Sequence, residues 1–128
     1  MTDNKITIRD IMEARIFFEK KKDKEELPLS LKIKIAKFLN NTEIEAREYI
    51  NKEKELIDKY AERDENGNIV YANEEKTLIS IKNGAFFVER NKLDSEPVDC
   101  DYSFTEDEIK NFEPLSVSDL QAIIKFVK

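Results

Sequence analysis

The sequence predicts an α+β fold: a long central helix with a small, mostly antiparallel sheet and short flanking helices. Three observations lead there. Apolar side chains recur every three or four positions from Ile35 to Tyr60, the period of a helix face. Short alternating or β-rich runs stand at 5–8, 69–71, 77–81 and 98–104, the pattern of strands. Only two glycines and three prolines occur in 128 residues, which leaves little chain for linkers and predicts one domain spanning 1–128.

In order along the chain, residues 1–28 read as a strand plus a helix. Lys5-Ile6-Thr7-Ile8 alternates polar and apolar, and Asp10 is placed to cap a helix carrying Ile11, Met12, Ile16, Phe17 and Phe18. The charged run from Lys20 to Glu26 ends that helix in solvent, and Leu27-Pro28 turns the chain. Residues 29–63 read as the long helix. Its stripe is Ile35, Leu39, Thr42, Ala46, Tyr49, Glu53, Leu56 and Tyr60, widened by Ile50 and Ile57. Glu53 interrupts the seam, which argues against a committed coiled coil. Asn40-Asn41-Thr42 followed by Glu45 resembles a capping box, so two abutting helices are the alternative to one continuous rod.

Residues 64–104 read as a hairpin, a helix and an acidic strand. Asp64-Glu65-Asn66-Gly67-Asn68 stops the long helix, and 69–71 pairs with 77–81. Asn83-Gly84 fits either a two-residue hairpin loop or the start of a helix through Phe86, Phe87 and Leu93. Val98, Cys100, Tyr102 and Phe104 alternate with Asp99, Asp101 and Ser103, a half-buried strand with an acidic outer face. Residues 105–128 hold the C-terminal helices. Thr105-Glu106-Asp107-Glu108 opens a turn containing Ile109 and Phe112, and Ser116 or Ser118 caps a helix bearing Leu120, Ile123, Ile124 and Val127.

Composition narrows the chemistry. Without histidine, Ser-His-Asp and Cys-His nucleophile arrangements cannot form, and no glycine-rich phosphate loop or G-x-S-x-G elbow is present. We therefore expect no enzyme, no catalytic residues and no cofactor. A single cysteine allows no internal disulfide, and a soft-ligand zinc site lacks donors; both suit a reducing cytoplasm. The first ten residues carry no apolar signal core, and no run approaches the roughly 20 apolar residues of a membrane span, so no membrane partner is expected.

Three patterns that invite a site have plainer readings. Glu62 to Asn73 matches part of an EF-hand loop, but begins with glutamate and ends with Asn73 where a bidentate glutamate is needed, so no metal is expected. Asp99 and Asp101 disfavour a Cys100 thiolate, which makes that side chain a structural thiol. The lysines at 20–24, with Lys32, Lys34 and Lys37, are interspersed with acids and lack interleaved aromatics, so they read as a solvated helix end and not a nucleic-acid surface.

Charge distribution is more informative. Residues 1–40 hold ten Lys/Arg against seven Asp/Glu, a net of +3. Residues 41–128 hold twelve against twenty-one, a net of −9, which reproduces the total of −6. Residues 94–119 carry nine acids and one base, Lys110. Asp99, Asp101, Glu106, Asp107 and Glu108 are the predicted partner-binding residues. Their field repels nucleic acid and attracts a protein with a basic surface, a nucleic-acid-handling host enzyme being one such partner. The long helix offers a route to a homodimer.

The ordered features, with Lys59-Tyr60-Ala61-Glu62-Arg63-Asp64-Glu65-Asn66-Gly67-Asn68 at the helix exit, the stretch Glu96 to Phe104 and the opening Leu115-Ser116-Val117-Ser118-Asp119-Leu120, resemble an uncharacterised family of small siphophage and prophage accessory proteins. The resemblance spans most of the chain. It implies a helix before the acidic strand, hence a helix from about residue 85, and a viral role inside a bacterial host. Two functions follow as expectations: an inhibitor of a host defence nuclease such as a CRISPR effector (an anti-CRISPR), or an accessory protein of virion or tail assembly.

Overall fold

A computed structural model describes residues 5–128. Among these the chain forms six α-helices and a closing 3₁₀ turn: α1 Ile8–Lys21, α2 Leu29–Asn41, α3 Glu43–Tyr60, α4 Gly84–Asp94, α5 Glu106–Lys110, α6 Val117–Ile123 and the turn Ile124–Phe126. Helix accounts for 57% of the structure, and no β-strand or sheet forms among the described residues. The α+β expectation is therefore corrected to a helical fold.

Each expected strand fails for a local reason. At Lys5–Ile8 a helix cap wins: the Thr7 hydroxyl accepts from the Asp10 amide at 3.3 Å, and the Asp10 carboxylate accepts from the Thr7 amide at 2.9 Å. This box starts α1 at Ile8, with Asp10 as its third residue and Thr7 as the cap. What remains of the strand is one antiparallel bridge, Thr7 to Pro97. The expected hairpin also shrinks to one bridge, Tyr71 to Ile79, flanked by the Ala72 amide on the Leu78 carbonyl at 2.7 Å and the Ser80 amide on the Val70 carbonyl at 2.9 Å. Tyr71 and Leu78 face solvent and Val70 and Ile79 are only half-buried, so little burial supports the pair, and an isolated two-stranded pairing is marginal. Along 98–102 the alternation survives in exposure, but among the described residues pairing is confined to the flanks, Thr7 with Pro97 and Phe104 with Val127. The Thr7–Pro97 bridge is held by its neighbours, the Ile8 amide on the Glu96 carbonyl at 2.9 Å and the Val98 amide on the Ile6 carbonyl at 2.8 Å.

Of the two alternatives for the long helical stretch, the structure takes the abutting helices: it breaks at Thr42, and the second helix stops at Tyr60, short of the expected 63. Arg15 of α1 explains the break. Its guanidinium donates to the Leu39 carbonyl at 2.6 Å and the Thr42 hydroxyl at 2.7 Å, and pairs with Glu43 at 2.8 Å. The Thr42 hydroxyl in turn donates to the Phe38 carbonyl at 2.7 Å. A cation thus meets an orphan carbonyl at the C-terminus of α2, where the helix dipole favours it. Helical bonding resumes with the Ala46 amide on the Thr42 carbonyl at 3.0 Å.

The chain divides into two compact units, Met1–Ala46 with Glu96–Lys128, and Arg47–Ser95. The first has a phenylalanine core. Ile8, Ile11, Ala14, Phe17 and Phe18 line the buried face of α1, opposite Leu31, Ile35 and Phe38 of α2. The Phe18 ring lies 5.2 Å from Phe17, 5.4 Å from Phe38, 5.9 Å from Phe112 and 4.9 Å from Phe104, and Phe126 joins through Phe38 at 5.6 Å. Such aromatic pairs add about 0.5–1.5 kcal/mol each beyond burial. α6 packs on α1. The lysine-rich end of α1 is put to work here: Lys21 reaches the Pro114 carbonyl at 3.2 Å, Lys24 the Glu113 carbonyl at 2.6 Å, and Lys20 the Asp119 carboxylate at 3.4 Å.

The second unit is built differently. Its buried apolar side chains, among the described residues, are Tyr49, Phe86 and Leu93, whereas Leu56 and Tyr60 of the predicted stripe are only half-buried. α3 and α4 run antiparallel, joined by a polar network. The Tyr49 hydroxyl donates to Asp94 at 2.6 Å, and Arg90 contacts the Tyr49 oxygen at 3.2 Å and Glu53 at 2.5 Å. Burial, then the bond to Asp94, pushes the Tyr49 phenol above its usual range. Asn83 caps α4 by accepting from the Ala85 amide at 2.9 Å, which decides the Asn83-Gly84 alternatives for the helix entry.

Candidate functional site

The acidic segment lies in the first unit and begins where Pro97 leaves its bridge with Thr7. Asp99 and Asp101 are exposed, with Val98, Cys100 and Tyr102 half-buried between them. Tyr102 fixes the segment: its ring lies edge-on to Phe38 at 5.5 Å and its hydroxyl accepts from the Asn41 amide. The two aspartates therefore sit on a backbone anchored to α2. They line, with Asn41, Thr42, Glu45, Val98, Cys100 and Tyr102, an open recess of about 380 Å³. One Glu45 carboxylate oxygen is buried there without a hydrogen-bond partner among the described residues.

The remaining predicted residues stand on α5. Thr105 caps it through a box with Glu108: the Thr105 hydroxyl accepts from the Glu108 amide at 3.1 Å, and the Glu108 carboxylate accepts from the Thr105 amide at 2.9 Å. Glu106 and Asp107 project from this first turn, and the Asp107 side chain is 92% exposed. Glu108 differs from the other four. It turns toward Lys34 of α2 at 2.9 Å, while the Lys34 ammonium also lies 4.6 Å over the Phe104 ring. Burial opposes its ionisation, but the Thr105 amide and Lys34 outweigh it and hold the carboxyl below the usual glutamate range. Glu108 is thus a fastening between α2 and α5, and a partner would meet Asp99, Asp101, Glu106 and Asp107.

Cys100 is half-buried, and burial raises its thiol, with the Asp101 and Glu45 charges adding to the shift. This is the electrostatics of a protonated, weakly nucleophilic sulfur. The EF-hand-like loop spends its key carboxylate on itself: one Asp64 oxygen accepts from the Asn66 and Asn68 amides, both at 2.9 Å, around Gly67 at φ +81°. Glu62 accepts from the Ser80 hydroxyl at 2.6 Å. Among the described residues no group of three or more acidic or cysteine side chains is arranged to hold a metal ion, and no helix is long and apolar enough to cross a membrane.

No family model, curated protein or solved structure matches the chain. Sequence reasoning missed two residues that shape the site. Arg15 places the junction of α2 and α3 that floors the recess, and its signal was a cation inside the apolar stripe Ile11, Ala14 and Phe18. Lys34 withdraws Glu108 from the surface, and only the fold brings those two residues together.

Proposed function

We propose that the chain is a non-enzymatic, phage-encoded protein that binds a basic protein surface, and that its target is a host defence nuclease such as a CRISPR effector. One observation carries the reading. Asp99, Asp101, Glu106 and Asp107 are exposed on anchored backbone, and among the described residues only Asp107 of these four is in an ion pair, a solvent-exposed one with Lys110 at 3.6 Å. Four carboxylates so displayed attract lysine and arginine surfaces within about a Debye length, roughly 8 Å at physiological salt. A nucleic-acid channel is such a surface. Occupying it with acids competes with the phosphate backbone for the same cations. The phage-like order of sequence features supports a target inside a bacterium.

The test is inhibition of guide-directed DNA binding by a purified CRISPR effector, read as a mobility shift over a salt series. We expect wild type to inhibit, and inhibition to weaken with salt. Asp99→Lys, Asp101→Lys and Asp107→Lys together should abolish it, with Glu108 left in place because it holds α5 to α2. Reversing the exposed Glu65, Glu74 and Glu75 in the second unit makes the same change in net charge and should leave inhibition intact. Equal loss in both variants would reduce the effect to overall charge.

A further inference from the structure

We propose that Asn66–Gly67 is a self-modification site: the Gly67 backbone nitrogen closes on the Asn66 side chain, ammonia leaves, and the residue becomes aspartate or isoaspartate. Both glycines of the chain follow an asparagine, at 66–67 and 83–84, and all four residues are exposed. The sequence therefore offers the same chemistry twice, because a glycine, without a Cβ, leaves its backbone nitrogen the least hindered. The structure separates the two. In each, the ring closes only after the peptide plane between the residues swings its nitrogen toward the asparagine side chain. The bonds that hold that plane and that side chain must open first, and they set the rate.

At Asn83 both are held. Its side-chain oxygen accepts from the Ala85 amide at 2.9 Å, and its backbone carbonyl from the Phe86 amide at 3.1 Å. With ψ at 118° the Gly84 nitrogen points away from the Asn83 Cβ. Turning it inward breaks both bonds and the first turn of α4, where Phe86 is buried. At Asn66 one bond stands in the way, from the Gly67 amide to the Asp64 carbonyl at 3.0 Å, in a turn whose residues 63–68 are all exposed. The Asn66 side chain has no hydrogen-bond partner among the described residues. Gly67, at φ +81°, has nothing within 4 Å of where a Cβ would stand, so the plane swings without a steric stop.

The step balances with no oxidant. The Gly67 nitrogen bonds to the Asn66 Cγ, the bond from Cγ to the amide nitrogen breaks, and the Gly67 proton leaves with that nitrogen as ammonia. Water then opens the cyclic imide at either carbonyl. Both products add a negative charge, and isoaspartate also routes the main chain through Cβ, lengthening it by a methylene between Asp64 and Asn68. Those residues are joined by the Asp64 amide on the Asn68 carbonyl and the Asn68 amide on the Asp64 Oδ1, both at 2.9 Å, so the change falls on the turn that follows α3. The site lies in the second unit, away from the acidic segment, and stands or falls separately from the nuclease reading.

The test holds the folded chain in neutral buffer at body temperature for weeks and follows the tryptic peptides 64–76 and 83–90 by mass spectrometry, with fragmentation to place the amide-to-acid gain. A methyltransferase that acts on isoaspartate reports the second product. We expect Asn66 to convert at least about tenfold faster than Asn83, because a further hydrogen bond and a helical turn must open at Asn83. In guanidinium chloride the two rates should agree within about twofold, since the tethers are gone. Asn66→Gln, whose longer side chain would have to close a larger and slower ring, should remove the gain at 66 and leave Asn83 as before. Equal rates in the folded chain, a faster Asn83, or an Asn66 that converts only after unfolding would each overturn the proposal.

Discussion

The two units of this chain reach stability by opposite means. The first closes rings of phenylalanine around Phe18, with fifteen buried apolar side chains among the described residues against three in the second. The second fastens two helices with a tyrosine, an arginine and two acids, and leaves Ile50, Leu78, Phe87 and Val88 in solvent. Apolar burial is non-directional and additive, whereas a polar network stands or falls with each partner. The lesson is that the acidic segment rides on the unit with the larger buried core, while both units leave large apolar side chains exposed, Ile16, Ile44 and Ile124 in the first and Leu78, Phe87 and Val88 in the second.

The largest effect expected from this contrast is at its centre. Phe18→Ala should cost about 3–5 kcal/mol in denaturant unfolding, because the emptied space is walled by four other rings. A cost no greater than that of a surface substitution would break the comparison outright. In the second unit Arg90→Ala should cost less, about 1–2 kcal/mol, since its side chain is partly exposed but its loss leaves the Glu53 and Asp94 carboxylates facing each other's field. Leu56→Ala should cost about 1 kcal/mol, well under a full core truncation, because the side chain is half-buried. Native-state hydrogen exchange sharpens the point: amides of α4 should exchange through local openings, while those of the buried face of α1 should require global unfolding.

The smallest expected effect is acid sensitivity. Asp10, Glu108 and Asp119 each occupy the third position of a capped helix in the first unit. Burial works against the Asp10 and Glu108 charges, but cap amides and lysines hold both carboxyls low; for Asp119 the Ser116 amide leads. A depressed folded value means that the unfolded chain takes up protons first as pH falls. The stabilisation is therefore complete above the usual carboxylate range and is lost below about pH 4. A thermal midpoint that is flat from pH 6 to about pH 4.5 and falls below it is the expected profile. Lys125→Met, removing the 2.9 Å partner of Asp10, should lower the midpoint on the plateau and make the fall below it smaller.

Much of the helical layout was legible because caps are local. The Asn83 entry, the Thr105-to-Glu108 turn and the serine cap of α6, where Ser116 proves to be the residue used, all declare themselves within four positions. Strands did not follow, because a run of three to seven alternating residues records only which side chains turn inward. It does not record whether a second chain segment lies alongside. Residues 98–102 keep their alternation of exposure without a ladder among the described residues, and Thr7 serves a helix although its neighbours alternate. The candidate site was legible to the same depth. Exposure of Asp99, Asp101, Glu106 and Asp107 follows from local pattern, whereas the withdrawal of Glu108 depends on Lys34, 74 residues away.

The division of the first unit into two stretches of chain bears on its synthesis. Phe17, Phe18 and Phe38 emerge early, but their ring partners Phe104, Phe112 and Phe126 follow only after the whole of Arg47–Ser95 has been made. For that interval the nascent chain presents Phe17, Phe18 and Phe38 without their later ring partners, the kind of transient surface that invites misassociation. The intervening stretch makes its own contacts in the meantime and shortens the effective loop that the late phenylalanines must close. Translation speed through residues 47–95 thus becomes a determinant of yield, although no residue there belongs to the core being protected.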